Sequence, residues 1–267
     1  MAAELVFLKL GGSLITDKTR PFAARTELIR RRARELADAL HARPDLRLLL
    51  GHGSGSFGHF AAVQSGFGSG DVRGFAETGA AAARLNRIVI DCCLEEGLPV
   101  AVFAPSASAI CVDGALIELA TQPIEMALNA RLVPVVFGDV AFDRTRRESI
   151  ASTEIVFAFL ARHLLPARIV LAGRVDGVFT ADPLSDPRAE RIARITPSSF
   201  AGLRAQLGGS HGVDVTGGML SKVELMLALV QARPNLRIQV ISGETDGLLR
   251  AALLDGHNDA GTWITNV

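Results

Sequence analysis

Six short apolar runs are spaced through the chain: LVFLKL (5–10), LRLLL (46–50), PVAVFA (99–104), LVPVVFG (132–138), ARIVLA (167–172) and LRIQVIS (236–242). Each has the length of a strand and is apolar at consecutive positions, so both of its faces must be covered. Between them lie longer amphipathic stretches. TELIRRRARELADAL (26–40) carries Leu28, Ile29, Leu36 and Leu40 at helical intervals, and further helices are expected over 74–96, 153–165, 218–232 and 245–254. Strands of this kind separated by helices define an α/β fold, a parallel sheet covered on each side. GDVAFDRTRRESIA (138–151) breaks the rhythm by alternating apolar and charged residues, as a β-hairpin standing over a strand end would.

With 267 residues and 49% hydrophobic content, the chain has the material for one large core or two small ones. Composition barely changes across a possible division near residue 173. The sheet is therefore read as continuous and residues 1–267 as a single domain, with parts of about 1–172 and 173–267 serving different ligands. Lys+Arg and Asp+Glu are 28 each, so no global field recruits nucleic acid or an anionic membrane. Tyrosine is absent, which removes a usual stacking platform for single strands. The opening MAAELVFLKLGG lacks the basic start of an export signal, and no stretch approaches the roughly 18 apolar residues of a membrane span. Cys92, Cys93 and Cys111 fit neither a metal spacing nor an even disulfide set, and a reducing cytoplasm suits them.

Three motifs bear on chemistry. In KLGGSLITDK (9–18) a strand runs into Gly11-Gly12-Ser13, where backbone N–H groups have room to approach an oxyanion. Lys9 lies inside the apolar strand and needs an anion beside it; Lys18 sits at the far side of the same loop. The plain alternative is a tight turn with two surface lysines. In GHGSGSFGHF (51–60), Gly53, Gly55 and Gly58 have G-x-G-x-x-G spacing. A dinucleotide site would place that motif after the first strand, with an acidic residue about 20 positions on. Here it follows the second strand, and the nearest acid, Asp71, falls in the loop GFGSGDVRG. His52 and His59 bracket the glycines. Beside backbone amides near a helix start, His59 suits a phosphate, although either histidine also suits a structural hydrogen bond. In DVTGGMLSKVE (214–224), Thr216-Gly217-Gly218 forms a turn opening a helix, with Lys222 one turn beyond Gly218; the alternative is a capped helix with an exposed lysine.

Two glycine-rich anion sites and three lysines, without a Walker A motif, point to phosphoryl transfer between two ligands. Ser54 and Ser56 occupy no G-x-S-x-G elbow, and H-x-E and C-x-x-C metal signatures are missing. His163 and His211 read as structural or exposed.

Taken in order, KLGGSLITDK, GHGSGSFGH, PVVFGDVAFD (134–143), VDGVFTADP (175–183) and DVTGGMLSKV resemble the amino acid kinase superfamily, and the Gly-Ser-Phe-Gly-His ending resembles its isopentenyl phosphate kinase branch. The resemblance implies an open three-layer αβα sandwich, a homodimer, and transfer of the ATP γ-phosphate to isopentenyl phosphate, giving isopentenyl diphosphate and ADP. It implies an acceptor-binding N-terminal part and a nucleotide-binding C-terminal part. By the same resemblance His59 hydrogen-bonds the acceptor phosphate in the cradle of Gly53, Ser54, Gly55 and Gly58. Lys9, Lys18 and Lys222 hold the transferring group and the ATP phosphates, with Gly11, Gly12, Ser13, Asp176, Gly217 and Gly218 around the nucleotide. Mg²⁺ bridges ATP oxygens without a dedicated cage of protein carboxylates.

Two departures stand out. Ser152-Thr153-Glu154 replaces the family's Ser-Gly-Asp, so Glu154 takes the task of arranging the lysines and Thr153 replaces a glycine beside the acceptor. Gly173-Arg174-Val175-Asp176-Gly177 replaces Thr-Asp-Val-Asp-Gly. An isoprenoid tail needs an apolar wall, for which Phe67, Phe75, Ala80, Ala83, Ile88, Pro105 and Ile110 are candidates, all equally suited to the core. Competing readings are a fosfomycin-type kinase, glutamate 5-kinase or uridylate kinase, a nucleotide sensor without catalysis, and an NAD-dependent oxidoreductase.

Overall fold

The computed structural model describes residues 4–183, 185–207 and 218–267. From the N-terminus, β1 (Leu5–Leu10) leads through α1 (Gly12–Ile15) and α2 (Thr26–Ala42) to β2 (Arg47–His52), α3 (Gly55–Gln64) and the long α4 (Val72–Glu95). Next come β3 (Val100–Val102), β4 (Ile110–Val112), β5 (Ala115–Glu118), α5 (Gln122–Asn129) and β6 (Val133–Phe137). The hairpin β7 (Asp139–Asp143) and β8 (Arg147–Ala151) precedes α6 (Thr153–Leu164) and β9 (Arg168–Gly173). After β10 (Val178–Phe179), β11 (Arg191–Ile192), β12 (Arg194–Ile195) and α7 (Pro197–Leu207), the chain ends with α8 (Gly218–Ala232), β13 (Arg237–Ser242), α9 (Leu248–Leu254) and β14 (Thr262–Ile264).

Eight strands form one sheet in the order β12-β14-β13-β9-β1-β2-β6-β3, with strands from both sides of residue 173 side by side. Every pairing is parallel except β13 with β14. The apolar runs are explained by this burial: Val6, Leu8 and Leu10 face a core shared with α2, α3, α4 and α9, while Leu5 and Phe7 face a second core with α5, α6 and α8. Strand alternation thus puts Lys9 on the α6/α8 side. The αβα sandwich of the sequence reading is present, as is the hairpin, whose five residue pairs run from Asp139–Ala151 to Asp143–Arg147.

Differences are local. The run 99–104 gives only a three-residue edge strand, because Ala104 leads directly into a 3₁₀ turn at Pro105–Ala107. The helix expected from 245 begins at 248, after Gly247 takes a left-handed φ of 79°. The hairpin belongs to a separate four-stranded sheet, β5-β4-β7-β8. Asp143 knits it together by accepting from the amides of Asp113, Gly114, Thr145 and Arg146 and from the Ser149 hydroxyl. Burial opposes the ionised form, but these donors hold the carboxyl well below the usual range.

Candidate active site

The carboxyl ends of β1 and β2 turn into α1 and α3 through two glycine turns that touch. A Cβ on Gly12 would sit 2.5 Å from Gly55 N and 2.7 Å from Gly55 Cα, and one on Gly53 would sit 2.7 Å from Gly12 N. Both contacts are backbone against backbone, so only glycine fits. Gly55 has φ of +51°, and its neighbour Ser56 donates its N–H to Thr16 Oγ1 at 2.9 Å, tying the second turn to the first. Gly11 donates to Ala172 O at 2.8 Å, joining the first turn to β9. Among the described residues, the amides of Gly12, Ser13, Ser54 and Gly55 donate to no protein group. Two turns read separately in the sequence therefore form one concave set of donors, with partial positive charge at its lip.

Below this lip Lys9 Nζ lies 3.0 Å from Glu154 Oε1, and Lys222 Nζ lies 3.8 Å from the same oxygen. Glu154 is in the first turn of α6, whose N-terminal dipole favours an acid and whose Ser152 cap accepts the Ile155 N–H at 3.3 Å. Burial would raise the Glu154 carboxyl, but the charges of Lys9 and Lys222 outweigh it and hold the group below 4.5, ionised. Lys222 has no other ionic partner among the described residues and keeps 34% of its side chain exposed. One carboxylate thus carries two ammonium groups, and the more distant of them faces outward.

Thr153, fully buried, donates its hydroxyl to His52 O at 2.6 Å, pinning the start of α6 to the end of β2. Gly138, between β6 and β7, faces Ser54 N and Thr153 Oγ1, both 3.5 Å from a Cβ built there. His52 itself is buried, stacked on Phe137 at 5.5 Å and bonded to Gly53 O and Asn86. Desolvation holds its pKa down; Nδ1 lies 3.1 Å from Gly53 O and Nε2 3.1 Å from Asn86 Oδ1, and the neutral ring donates to one of these two oxygens. It is the structural histidine of the pair. His59 lies one turn into α3, exposed, with its ring edge-on to Phe60 at 5.8 Å. His163 bonds Phe159 O within α6.

Lys18 is exposed on the loop after α1 and makes no ion pair among the described residues, so it stands apart from the Lys9–Glu154–Lys222 bridge. Asp176 accepts from Ser242 N at 3.2 Å. Gly218 begins α8, while Thr216, Gly217 and His211 lie outside the described residues. No three His, Cys, Asp or Glu side chains among the described residues converge on a common point, and no helix among them is long and apolar enough to cross a membrane.

The sequence reading passed over Arg25 and Glu244. Arg25 donates to both Glu244 oxygens at 2.5 and 3.0 Å and to Leu14 O at 2.9 Å, clamping α1 and the start of α2 to the turn after β13. Its partner is 219 positions away, and no local pattern signals it. Asp139, buried beneath the hairpin, is likewise new; burial pushes its carboxyl above its usual range, although Ser106 N and Val140 N donate to it.

Paired donor turns above a lysine-bridging carboxylate, at the carboxyl edge of an open αβα sheet, define a small-molecule phosphotransferase. A model of the amino acid kinase family matches residues 4–242, and the chain belongs to that family. Within it, the chain is 35% identical over 274 residues to the isopentenyl phosphate kinase of Methanothermobacter thermautotrophicus, covering 98% of this chain and 99% of the relative. An X-ray structure of isopentenyl phosphate kinase superposes with a TM-score of 0.82 at 31% identity, covering 98% of this chain and 100% of the other. A substrate complex of isopentenyl phosphate kinase superposes at 0.76 with 26% identity, covering 97% and 99%.

Proposed function

We propose that this chain phosphorylates isopentenyl phosphate with ATP, releasing isopentenyl diphosphate and ADP. The observation that carries the reading is the single Glu154 oxygen shared by Lys9 and Lys222 beneath two contacting glycine turns. The family match and the nearly full-length similarity to isopentenyl phosphate kinases support the same reaction. In it, a terminal oxygen of the acceptor phosphate forms a bond to the γ-phosphorus while the bond from that phosphorus to the β-bridging oxygen breaks, the electron pair leaving on ADP. The acceptor oxygen is already anionic, so the barrier is the repulsion between two polyanions rather than removal of a proton.

Each group has a task in this reading. The Ser54 and Gly55 amides, with His59 on the next turn of α3, hold the acceptor phosphate; Gly53 and Gly58 give the backbone room. The Gly12 and Ser13 amides and Lys222 receive the transferring group, and Lys9 sets Glu154 so that Lys222 is aimed. Residues beyond about 173, with Asp176, Gly217 and Gly218, and Lys18 on its loop, serve the nucleotide. Mg²⁺, where it accompanies the nucleotide, would supply neutralisation of the phosphate charge, and Glu154 would not hold it, being committed to Lys9 and Lys222.

The acceptor tail lies along α4 and β7. There a Cβ built on Gly79 would lie 3.0 Å from Val140 Cγ2, and Phe75 stacks on the exposed Phe142 at 4.6 Å, closing the far end. Of the other candidates, Ile88 packs into the core and Pro105 is buried, so neither belongs to this wall. Self-association into a homodimer is part of the proposal. It is supported by the open edge of β3, where Val102 is exposed, with Leu94 of α4 and Met126 of α5 also exposed. The three buried, unpaired cysteines fit a reducing cytoplasm.

The test is ADP release across isopentenyl phosphate, dimethylallyl phosphate, fosfomycin, uridylate and glutamate. Turnover is expected with the isopentenyl acceptor; activity with glutamate alone would refute the reading. Replacing His59 by Ala should lower kcat/KM for the acceptor about a hundredfold without changing Tm, since the ring is exposed; near-normal kcat/KM would exclude the contact.

A further inference from the structure

Arg174 follows β9 directly, at the carboxyl edge of the sheet. Gly11 N–H to Ala172 O (2.8 Å) places the first glycine turn on one side of it, and Gly243 N–H to Gly173 O (2.7 Å) places the turn after β13 on the other. Its guanidinium makes no hydrogen bond among the described residues. Its one ionic neighbour is Glu244, with Nε 3.9 Å from Oε1, and 53% of the side chain is exposed. Glu244 is no true partner, because both of its oxygens are already taken by Arg25.

The other acid nearby is equally committed. Asp17 accepts from Thr19 N at 2.9 Å and Thr19 Oγ1 at 2.7 Å. Those bonds first, then the charges of Arg20 and Arg174, hold its carboxyl down. Arg25 and Arg174 lie beside Glu244, and Arg20 and Arg174 act on Asp17, so three cations meet these two acids. An exposed pair at such a distance holds a side chain weakly, so the planar fork of Arg174 is available for a ligand whose oxygens match it bidentately, as phosphate does.

We infer that Arg174 grips the phosphate chain common to ATP and ADP and positions the donor, not the acceptor. Strand order gives the side: β9 and β13 flank β1 opposite to β2, and β2 bears the turn at Ser54–Gly58 assigned to the acceptor. Arg174 sits between the β1 turn and the β13 turn, one strand removed from that cradle. The inference rests on the kinase reading for the identity of the donor.

The test is calorimetric binding of ADP and of adenosine to the full chain and to Arg174→Ala and Arg174→Lys. Arg174→Ala should weaken ADP roughly ten- to a hundredfold, leave adenosine and Tm unchanged, and raise KM for ATP but not for isopentenyl phosphate. Arg174→Lys should recover part of the loss, keeping the charge but not the fork. ADP affinity within twofold of the unmodified chain, or an equal loss for adenosine, would overturn the inference. An unmodified chain that binds ADP yet fails to phosphorylate isopentenyl phosphate would remove the acceptor reading and leave the Arg174 result standing; one that binds no ADP would overturn both.

Discussion

Lys222 and Arg168 are two cations at opposite ends of the sheet, and their surroundings differ in one respect. Arg168, fully buried at the start of β9, has each of its three nitrogens engaged: Nε donates to Glu4 at 2.7 Å, and the two terminal nitrogens donate to Ala252 O and Leu253 O at 2.6 and 3.0 Å, capping α9. Lys222 has a third share of exposure and one carboxylate at 3.8 Å that Lys9 holds more closely. A buried cation whose every nitrogen is engaged by the protein stabilises the fold. A cation left with spare donors is available to an anion, which is the role proposed for Lys222.

The sharpest way to break that contrast is to exchange its outcomes. Lys222→Met should lower kcat/KM about a thousandfold, or about 4 kcal/mol in the barrier, with Tm nearly unchanged; steady-state kinetics beside a thermal melt check both. Arg168→Met should do the reverse. It strands two carbonyls at the end of α9 and should cost about 3 kcal/mol of stability in urea unfolding, while the folded fraction keeps its kcat/KM. If either variant showed the other's phenotype, the division between scaffold and machinery would fail.

Glu154→Gln sharpens the comparison through pH. The carboxyl is held below 4.5 in the fold, so its contribution is present above that value and is lost as pH falls through the folded-state value. At pH 7 the variant should be less stable by about 2 kcal/mol, and unfolding midpoints of the two proteins should converge as pH drops below 4.5. A gap that persists unchanged in acid would show that Glu154 acts through packing and not charge.

Much of this was legible in the sequence because burial on both faces leaves consecutive apolar residues that no other element needs. Leu5–Leu10 and Arg168–Gly173 were readable on those terms, and Lys9 stood out as a charge near the carboxyl end of such a run, whereas Arg168 opens its strand. Lys222 was placed by its helical distance from Gly218. The glycines were read as room for a ligand, whereas Gly12 and Gly53 first make room for each other, a contact between segments some forty positions apart that periodicity carries no trace of. The same holds for Arg25 with Glu244 and for His52 with Asn86, whose partners are set by topology. Strands β4 and β5 are short and partly exposed, so they lack the apolar run that revealed the main sheet.

The contact of Gly12 on Gly53 and Gly55 carries a lasting constraint. Backbone resting on backbone acts as a spacer of fixed thickness between the two turns to which the reactants are proposed to bind, and no side chain is present there to be trimmed or lengthened. On the proposed function, drift toward bulkier alcohol phosphates would have to be absorbed elsewhere, as at the Phe75–Phe142 pair, and not by widening the gap between these two turns.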